Sequence, residues 1–215
     1  MYKDEKTRKL AEMPIPKLLT EMSIPAIIGM IVTAIYNIVD TIFVGRIGTE
    51  AIGAVTIAFP LFMIISAIGL TFGIGSASYI SRLLGEEKKE MANKVSTTSI
   101  LTTFIIAAVF AAAGLYFLEP LLKLFGTTEA IMPYAVNYTA IIIAGSIFNM
   151  SNMNMNNMVR AEGSARMSMI AMTTGALLNI ILDPILIFGF EMGIAGASSA
   201  TIFSQAVSTV MLIAF

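Results

Sequence analysis

Six apolar runs, each longer than about 20 residues, alternate with short clusters of charge, and this pattern constrains the fold more than any other feature. The runs cover approximately residues 22–44, 51–80, 95–118, 131–159, 167–190 and 193–215. Between them stand GRIGTE, SRLLGEEKKEMANK, EPLLKLFGTTEA, RAEGSAR and a short turn around Glu191. At 1.5 Å per residue, ~20 helical residues cross the ~30 Å hydrocarbon core of a bilayer. Strands exposed to lipid would leave backbone groups unpaired. The pattern therefore predicts an all-α membrane protein, a bundle of six transmembrane helices over residues 22–215 behind a cytoplasmic N-terminal segment, residues 1–21. A mean hydropathy of +0.85 agrees with that class.

Basic residues set the orientation. With the N-terminus inside, the cytoplasmic face carries Lys3, Lys6, Arg8, Lys9, Lys17, Arg82, Lys88, Lys89, Lys94, Arg160 and Arg166. The outer face carries only Arg46 and Lys123, a bias that predicts a cytoplasmic N-terminus. The long charged start and the lack of a small-residue cleavage site argue against a removable leader. The last run stops at Phe215 with no basic loop behind it, so the chain reads as truncated, or as one half of a larger transporter.

Several chemistries drop out on composition. There is no cysteine and no histidine, which removes thiolates, the commonest metal ligand and the usual proton shuttle. No G-x-x-x-x-G-K-[ST] motif supports ATP-driven work, and near-neutral net charge gives no sign of a nucleic-acid partner. GLTFGIGSAS lacks the last glycine of a dinucleotide fingerprint and lies within a span. No cofactor is expected.

Two acids stand where lipid penalises them: Asp40 in YNIVDTIF and Asp183 in LLNIILDPILIF. Ionisable groups inside spans are costly and mark ion pathways or relays. Asp40 follows Glu21 by nineteen residues and Asp183 follows Arg166 by seventeen, heights of roughly 28 and 26 Å along helices of the same sense. The two carboxylates can thus share one layer. Each has polar company on its own face: Gly29, Thr33, Tyr36 and Asn37 with Asp40, and Asn179 one turn below Asp183. The sixth run adds Ser198, Thr201, Gln205 and Ser208 at i, i+3, i+7 and i+10. Three such stripes predict a polar cavity, although Ser, Thr, Asn and Gln also serve as ordinary helix–helix glue.

The fourth run ends in NMSNMNMNNM, residues 149–158, five asparagines and four methionines in ten positions. An uncompensated amide in hydrocarbon costs several kcal/mol. Asn149, Asn152 and Asn156 share a face, with Met153 and Asn157 beside them, so the segment is expected to line a ligand cavity. Pro25 and Pro184 lie inside spans, where proline removes a backbone bond and kinks the helix. They are candidate hinges. Gly69, Gly73 and Ala77 form a small-xxx-small seam for close packing.

SIPAIIGMIVTAIYNIVDTIFVGRIGTEAIGAV, ASYISRLLGEEKKEMANKV, MVRAEGSARMSM and LLNIILDPILIF, in this order, resemble the amino-terminal half of a prokaryotic transporter of the multidrug and toxic compound extrusion (MATE) family. The resemblance runs from about Pro14 onward and implies one lobe of a pseudo-symmetric twelve-helix transporter in the plasma (inner) membrane. It implies secondary active efflux of cationic, lipophilic drugs or dyes in antiport with H⁺ or Na⁺. The family's cation site matches Asp40, Asn179, Asp183 and Thr201, the two carboxylates being metal ligands only if Na⁺ couples. Its substrate chamber matches Met30, Tyr36, Asn37, Tyr138, Asn152, Asn156 and Gln205, and its bending first helix carries Pro25. The partners implied are small cationic compounds, membrane lipid, and a missing C-terminal lobe or a second copy.

Two carboxylates in one low-dielectric layer repel, so they take up a proton or a hard cation with oxygen ligands. Three rival readings stand beside this one. An intramembrane aspartyl protease sets one aspartate after Gly-x-Gly, which IVDT and LDPI lack. A lipid-linked oligosaccharide flippase needs basic residues in its cavity, and the six runs hold none. An isolated, non-transporting lobe would only bind ligand or pack against a partner.

Overall fold

The computed structural model describes residues 13–215. Lys3, Lys6, Arg8 and Lys9, assigned above to the cytoplasmic face, lie outside the described residues. The chain forms α1 (Ile15–Gly45), α2 (Thr49–Gly85), α3 (Lys89–Tyr116), α4 (Leu118–Leu124), α5 (Met132–Ala144), α6 (Ser146–Ala161) and α7 (Ala165–Pro184). A π-helical turn (Ile185–Gly189) and α8 (Ile194–Ile213) complete it. Among the described residues five helical stretches are long and apolar enough to cross a membrane: α1, α2, α3, α7 with its π turn, and α8.

The fourth span departs from the single helix expected over 131–159. It breaks at Gly145 into α5 and α6. The cause lies on α8: a Cβ at Gly145 would overlap the Ile202 side chain, so the backbone there passes closer than any other residue allows. Hydrogen bonds still run through the junction, from Gly145 N–H to Ile141 O at 2.9 Å and from Phe148 N–H to Gly145 O at 3.0 Å.

Other boundaries shift for simpler reasons. α1 begins seven residues before the expected edge and α3 six before, because Lys17, Glu90 and Lys94 extend helices past the hydrocarbon without breaking them. The outer loop EPLLKLFGTTEA contains α4, whose Leu118 and Leu122 are buried at a spacing of one turn. Pro25 sits buried inside an uninterrupted α1, as Pro60 does inside α2. Pro184 instead ends α7, and the widened turn that follows closes with Phe190 N–H donating to Ile185 O at 2.9 Å.

One end of the bundle gathers the start of α1, the α6–α7 turn and the end of α8, where Leu18, Glu21, Gly163, Arg166 and Phe215 line one hollow. Ser81 near the end of α2 reaches Ala161 O there at 3.5 Å. The described basic residues expected on the cytoplasmic face fall at this end by helix alternation, with Arg46 and Lys123 at the other. An apolar core around Ile65, Leu122, Ile143 and Met150 fills the outer half, and Ile80, Leu83, Met155 and Met158 fill the inner end.

The seam on α2 packs against α6, as its small residues require. A Cβ at Gly69 would stand 3.0 Å from the Met150 backbone, and one at Gly73 would stand 3.1 Å from Asn154 Cα. Beside this contact Asn154, fully buried, ties three helices together. Its Nδ2 donates to Thr103 Oγ1 at 2.7 Å and to Ser99 Oγ at 3.0 Å on α3, and Ser76 of α2 donates to its Oδ1 at 3.4 Å. One amide of the asparagine-rich segment is therefore structural. Asn154→Leu is expected to lower stability in detergent by about 1–2 kcal/mol, since interhelical hydrogen bonds in membranes are individually modest. Thermal unfolding would read this as a fall of a few degrees, and an unchanged Tm would show the knot to be dispensable.

Candidate functional site

α1, α7 and α8 meet with their polar faces together. Asp183 on the last turn of α7 is completely buried, and Asn179 one turn earlier is 1% exposed. Asn179 Nδ2 donates to Asp183 Oδ1 at 3.3 Å and to Thr201 Oγ1 on α8 at 3.4 Å. Asp40, half-buried on α1, lies close enough to Asp183 for the two carboxyls to act on each other. The four residues matched to the cation site thus form one cluster drawn from three helices. The common layer inferred from helix rise is present in the structure.

The cluster is short of donors. Asp40 Oδ1, Asp183 Oδ2 and Asn179 Oδ1 are buried with no hydrogen-bond partner among the described residues. Orphaned acceptors of this kind are rare in folded proteins and each has a cost. A proton shared between the carboxyls fits them. So does Na⁺, which takes carboxylate, amide and hydroxyl oxygens. Tyr36 and Tyr138 lie within electrostatic range of both carboxylates.

Below this layer opens a chamber of about 300 Å³, at the lower end of the size of drug-binding pockets. Met30, Thr33, Tyr36 and Asn37 line it from α1, Asn152, Met153, Asn156 and Asn157 from α6, and Ser204, Gln205 and Ser208 from α8. Asn179 and Thr201 also face it, so the same two side chains touch both the acid cluster and the chamber. Met30 and Asn37 are exposed and leave it open along α1.

Of the residues matched to the substrate chamber, Met30, Tyr36, Asn37, Asn152, Asn156 and Gln205 line it. Tyr138 does not; it is buried on α5. Pro25 is buried on α1 one turn from Gly29, whose Cβ position lies 3.2 Å from Met172 Sδ of α7, and Pro184 directly follows Asp183. Both candidate hinges therefore adjoin the helices that carry the carboxylates.

The amides along α6 form an ordered ribbon. Ser168 Oγ donates to Asn156 Oδ1 at 2.7 Å, Asn156 Nδ2 to Asn152 Oδ1 at 2.9 Å, and Asn152 Nδ2 to Ser208 Oγ at 2.8 Å. Ligand-facing acceptors remain open, since Asn149 Oδ1, Ser204 Oγ and Gln205 Oε1 are buried without partners among the described residues. Sequence reasoning missed Ser204, which sits three residues past Thr201 on the stripe already drawn. It also missed Arg160, which lies one residue beyond the expected edge of the fourth run, at the start of the loop RAEGSAR. Arg160 lines the chamber. The expectation of a cavity free of basic residues is corrected accordingly.

The MatE family model matches residues 25–185. A FAD transporter of Shewanella oneidensis is 35% identical over 203 residues, 93% of this chain and 45% of the relative. The multidrug export protein MepA of Staphylococcus aureus is 30% identical over 214 residues, 99% of this chain and 48% of its own. Among solved structures, a MOP superfamily transporter from Pyrococcus furiosus superposes with a TM-score of 0.92 at 33% identity, covering 97% of this chain and 46% of that one. The chain spans about half the length of these relatives.

Proposed function

Because the chain belongs to the MatE family of membrane transporters and fits its structures as an amino-terminal lobe, we propose that it carries the ion-coupling half of a multidrug exporter. In this reading it drives cationic, lipophilic compounds out of the cell in exchange for H⁺ or Na⁺. One observation carries the proposal. Buried carboxylate oxygens without partners among the described residues share Asn179 and Thr201 with a drug-sized chamber, so loading the acids changes a wall the ligand touches.

The mechanism follows from charge. With both acids ionised the cluster attracts a cation in the chamber and strains against its own repulsion. A proton or Na⁺ arriving from outside relieves that repulsion and removes the attraction that held the ligand. Neutralisation also lets α1 settle differently on α7, beside Pro25 and the Pro184 turn. Export requires that ion and ligand favour different states of this contact. The relatives' names span a flavin nucleotide and multiple drugs, so the substrate range is set by chamber chemistry more than by the fold.

Efflux of ethidium from cells expressing the chain, alone or joined to its complementary lobe, tests the reading. Wild type is expected to export and Asp183→Asn to fall to the background of empty cells. Export by Asp183→Asn at the wild-type rate overturns the coupling role. Binding without export by the lone chain assigns it the part of a lobe that works only with a partner.

A further inference from the structure

The inner end of the chamber holds a positive charge that the proposed coupling does not use. Arg160, half-buried on the last turn of α6, donates through Nη1 to Ser168 Oγ at 3.1 Å and through Nη2 to Asn157 Oδ1 at 2.9 Å. Both acceptors are neutral. Among the described residues no carboxylate forms an ion pair with Arg160. A guanidinium has five N–H donors in a planar fork suited to a carboxylate, and a charge withdrawn from water without a counter-ion is unfavourable.

The surrounding polar groups cannot supply the missing charge. Ser168 accepts from Arg160 and donates its own hydrogen bond to Asn156, which donates on to Asn152, which in turn donates to Ser208. Asn157 is tied twice, with Nδ2 on Met153 O at 2.7 Å and Oδ1 on Arg160. The ribbon fixes the fork in place and spends the oxygens near it. An anionic group is what this end of the chamber lacks.

The opposite end has the opposite need. Asn179, at the threshold of the acid cluster, lies eleven residues beyond Ser168 on α7, about 16 Å along the helix. The chamber is therefore polar along its length, anionic behind Asn179 and Thr201 and cationic at Arg160. We propose that Arg160, held by Asn157 and Ser168, is a carboxylate-recognising subsite. It makes the preferred ligands of this lobe amphoteric planar compounds, with the basic centre toward Asn179 and a carboxylate toward Arg160. This deepens the reading of the chamber as the ligand site and rests on it.

Two dyes that differ at one group provide the test. Rhodamine 110 and rhodamine 123 share a cationic xanthene ring, and the first carries a free carboxylate where the second has its methyl ester. Their binding to the purified chain in detergent is followed by fluorescence polarisation at pH 7.5. Arg160→Gln is expected to weaken rhodamine 110 by tenfold or more and to change rhodamine 123 by less than twofold. Arg160→Lys is expected to recover part of the rhodamine 110 affinity, the point charge surviving without the fork. Equal losses for both dyes in Arg160→Gln, or no loss for either, overturn the subsite while leaving the chamber reading intact. Binding of neither dye by the wild-type chain overturns the chamber reading and the subsite with it.

Discussion

Ethidium is expected to bind the wild-type chain at least ten times more tightly at pH 8.5 than at pH 5.5, and the double variant Asp40→Asn, Asp183→Asn to bind it equally at both. The sign follows from the cluster. At high pH the carboxylates carry charge and face the chamber through Asn179 and Thr201; at low pH they take up protons and the attraction goes. The size follows from Coulomb's law. One charge removed at about 10 Å, in surroundings of effective dielectric ~20, changes the interaction by ~1.7 kcal/mol, somewhat more than tenfold in Kd. The asparagines keep the shape and remove the charge, so the variant also separates electrostatics from packing. Repeating the high-pH titration with 100 mM NaCl against choline chloride identifies the ion. Loss of binding in Na⁺ alone assigns Na⁺ to the oxygens of Asp40, Asp183 and Asn179. A flat wild-type profile, with no effect of Na⁺, removes the acids from any role in ligand release.

The acids were legible in the sequence because hydrocarbon makes them conspicuous. Once they were found, helix rise placed Asp40 and Asp183 in one layer, and periodicity added Asn179 and Thr201. These steps use only local geometry, and the cluster obeys them. Arg160 failed a different test. It lies one residue past an apolar run, and a one-dimensional reading treats anything beyond a span as solvent-facing. What draws it inward is Ser168, from the next helix, and Asn157 on its own, and only the first of these depends on tertiary structure. The break at Gly145 was hidden for a similar reason. Glycine is common in membrane helices, and nothing near it in sequence reveals that Ile202 of α8 will press on its backbone. α4 was missed because its charged ends, Glu119 and Lys123, outweigh its buried leucines in any hydropathy window. The sequence reading gives the asparagine-rich segment one role, lining a cavity, whereas the helix it forms has two polar faces. Asn152 and Asn156 face the chamber, while Asn154, on the other side of α6, binds α2 and α3 together.

That second face makes the seam on α2 a packing contact with little slack. At Gly73 an added Cβ would come within 2.9 Å of Asn157 Nδ2 and 3.1 Å of both Asn154 Cα and Met153 O, and the last two are backbone atoms that cannot turn aside. Gly73→Val must therefore push α2 away from α6. Overpacking of this kind costs about 1–3 kcal/mol, and backbone contact places it at the top of that range. For a chain of this size ~3 kcal/mol corresponds to a fall in Tm of roughly 6–12 °C. Gly75, two residues on, is the control: a Cβ there meets nothing within 4 Å, so Gly75→Val bears only the helix propensity of valine, which is no worse than that of glycine. Thermal unfolding of the two variants in the same detergent is expected to show a large fall for Gly73 and almost none for Gly75. Equal falls would trace the effect to the helix and not to the seam. Displacing Asn157 also loosens one of the two anchors of Arg160, so Gly73→Val is expected to lose rhodamine 110 before rhodamine 123 even below its unfolding temperature. Packing of two glycines against an amide helix thus sets the position of a charge that neither glycine touches.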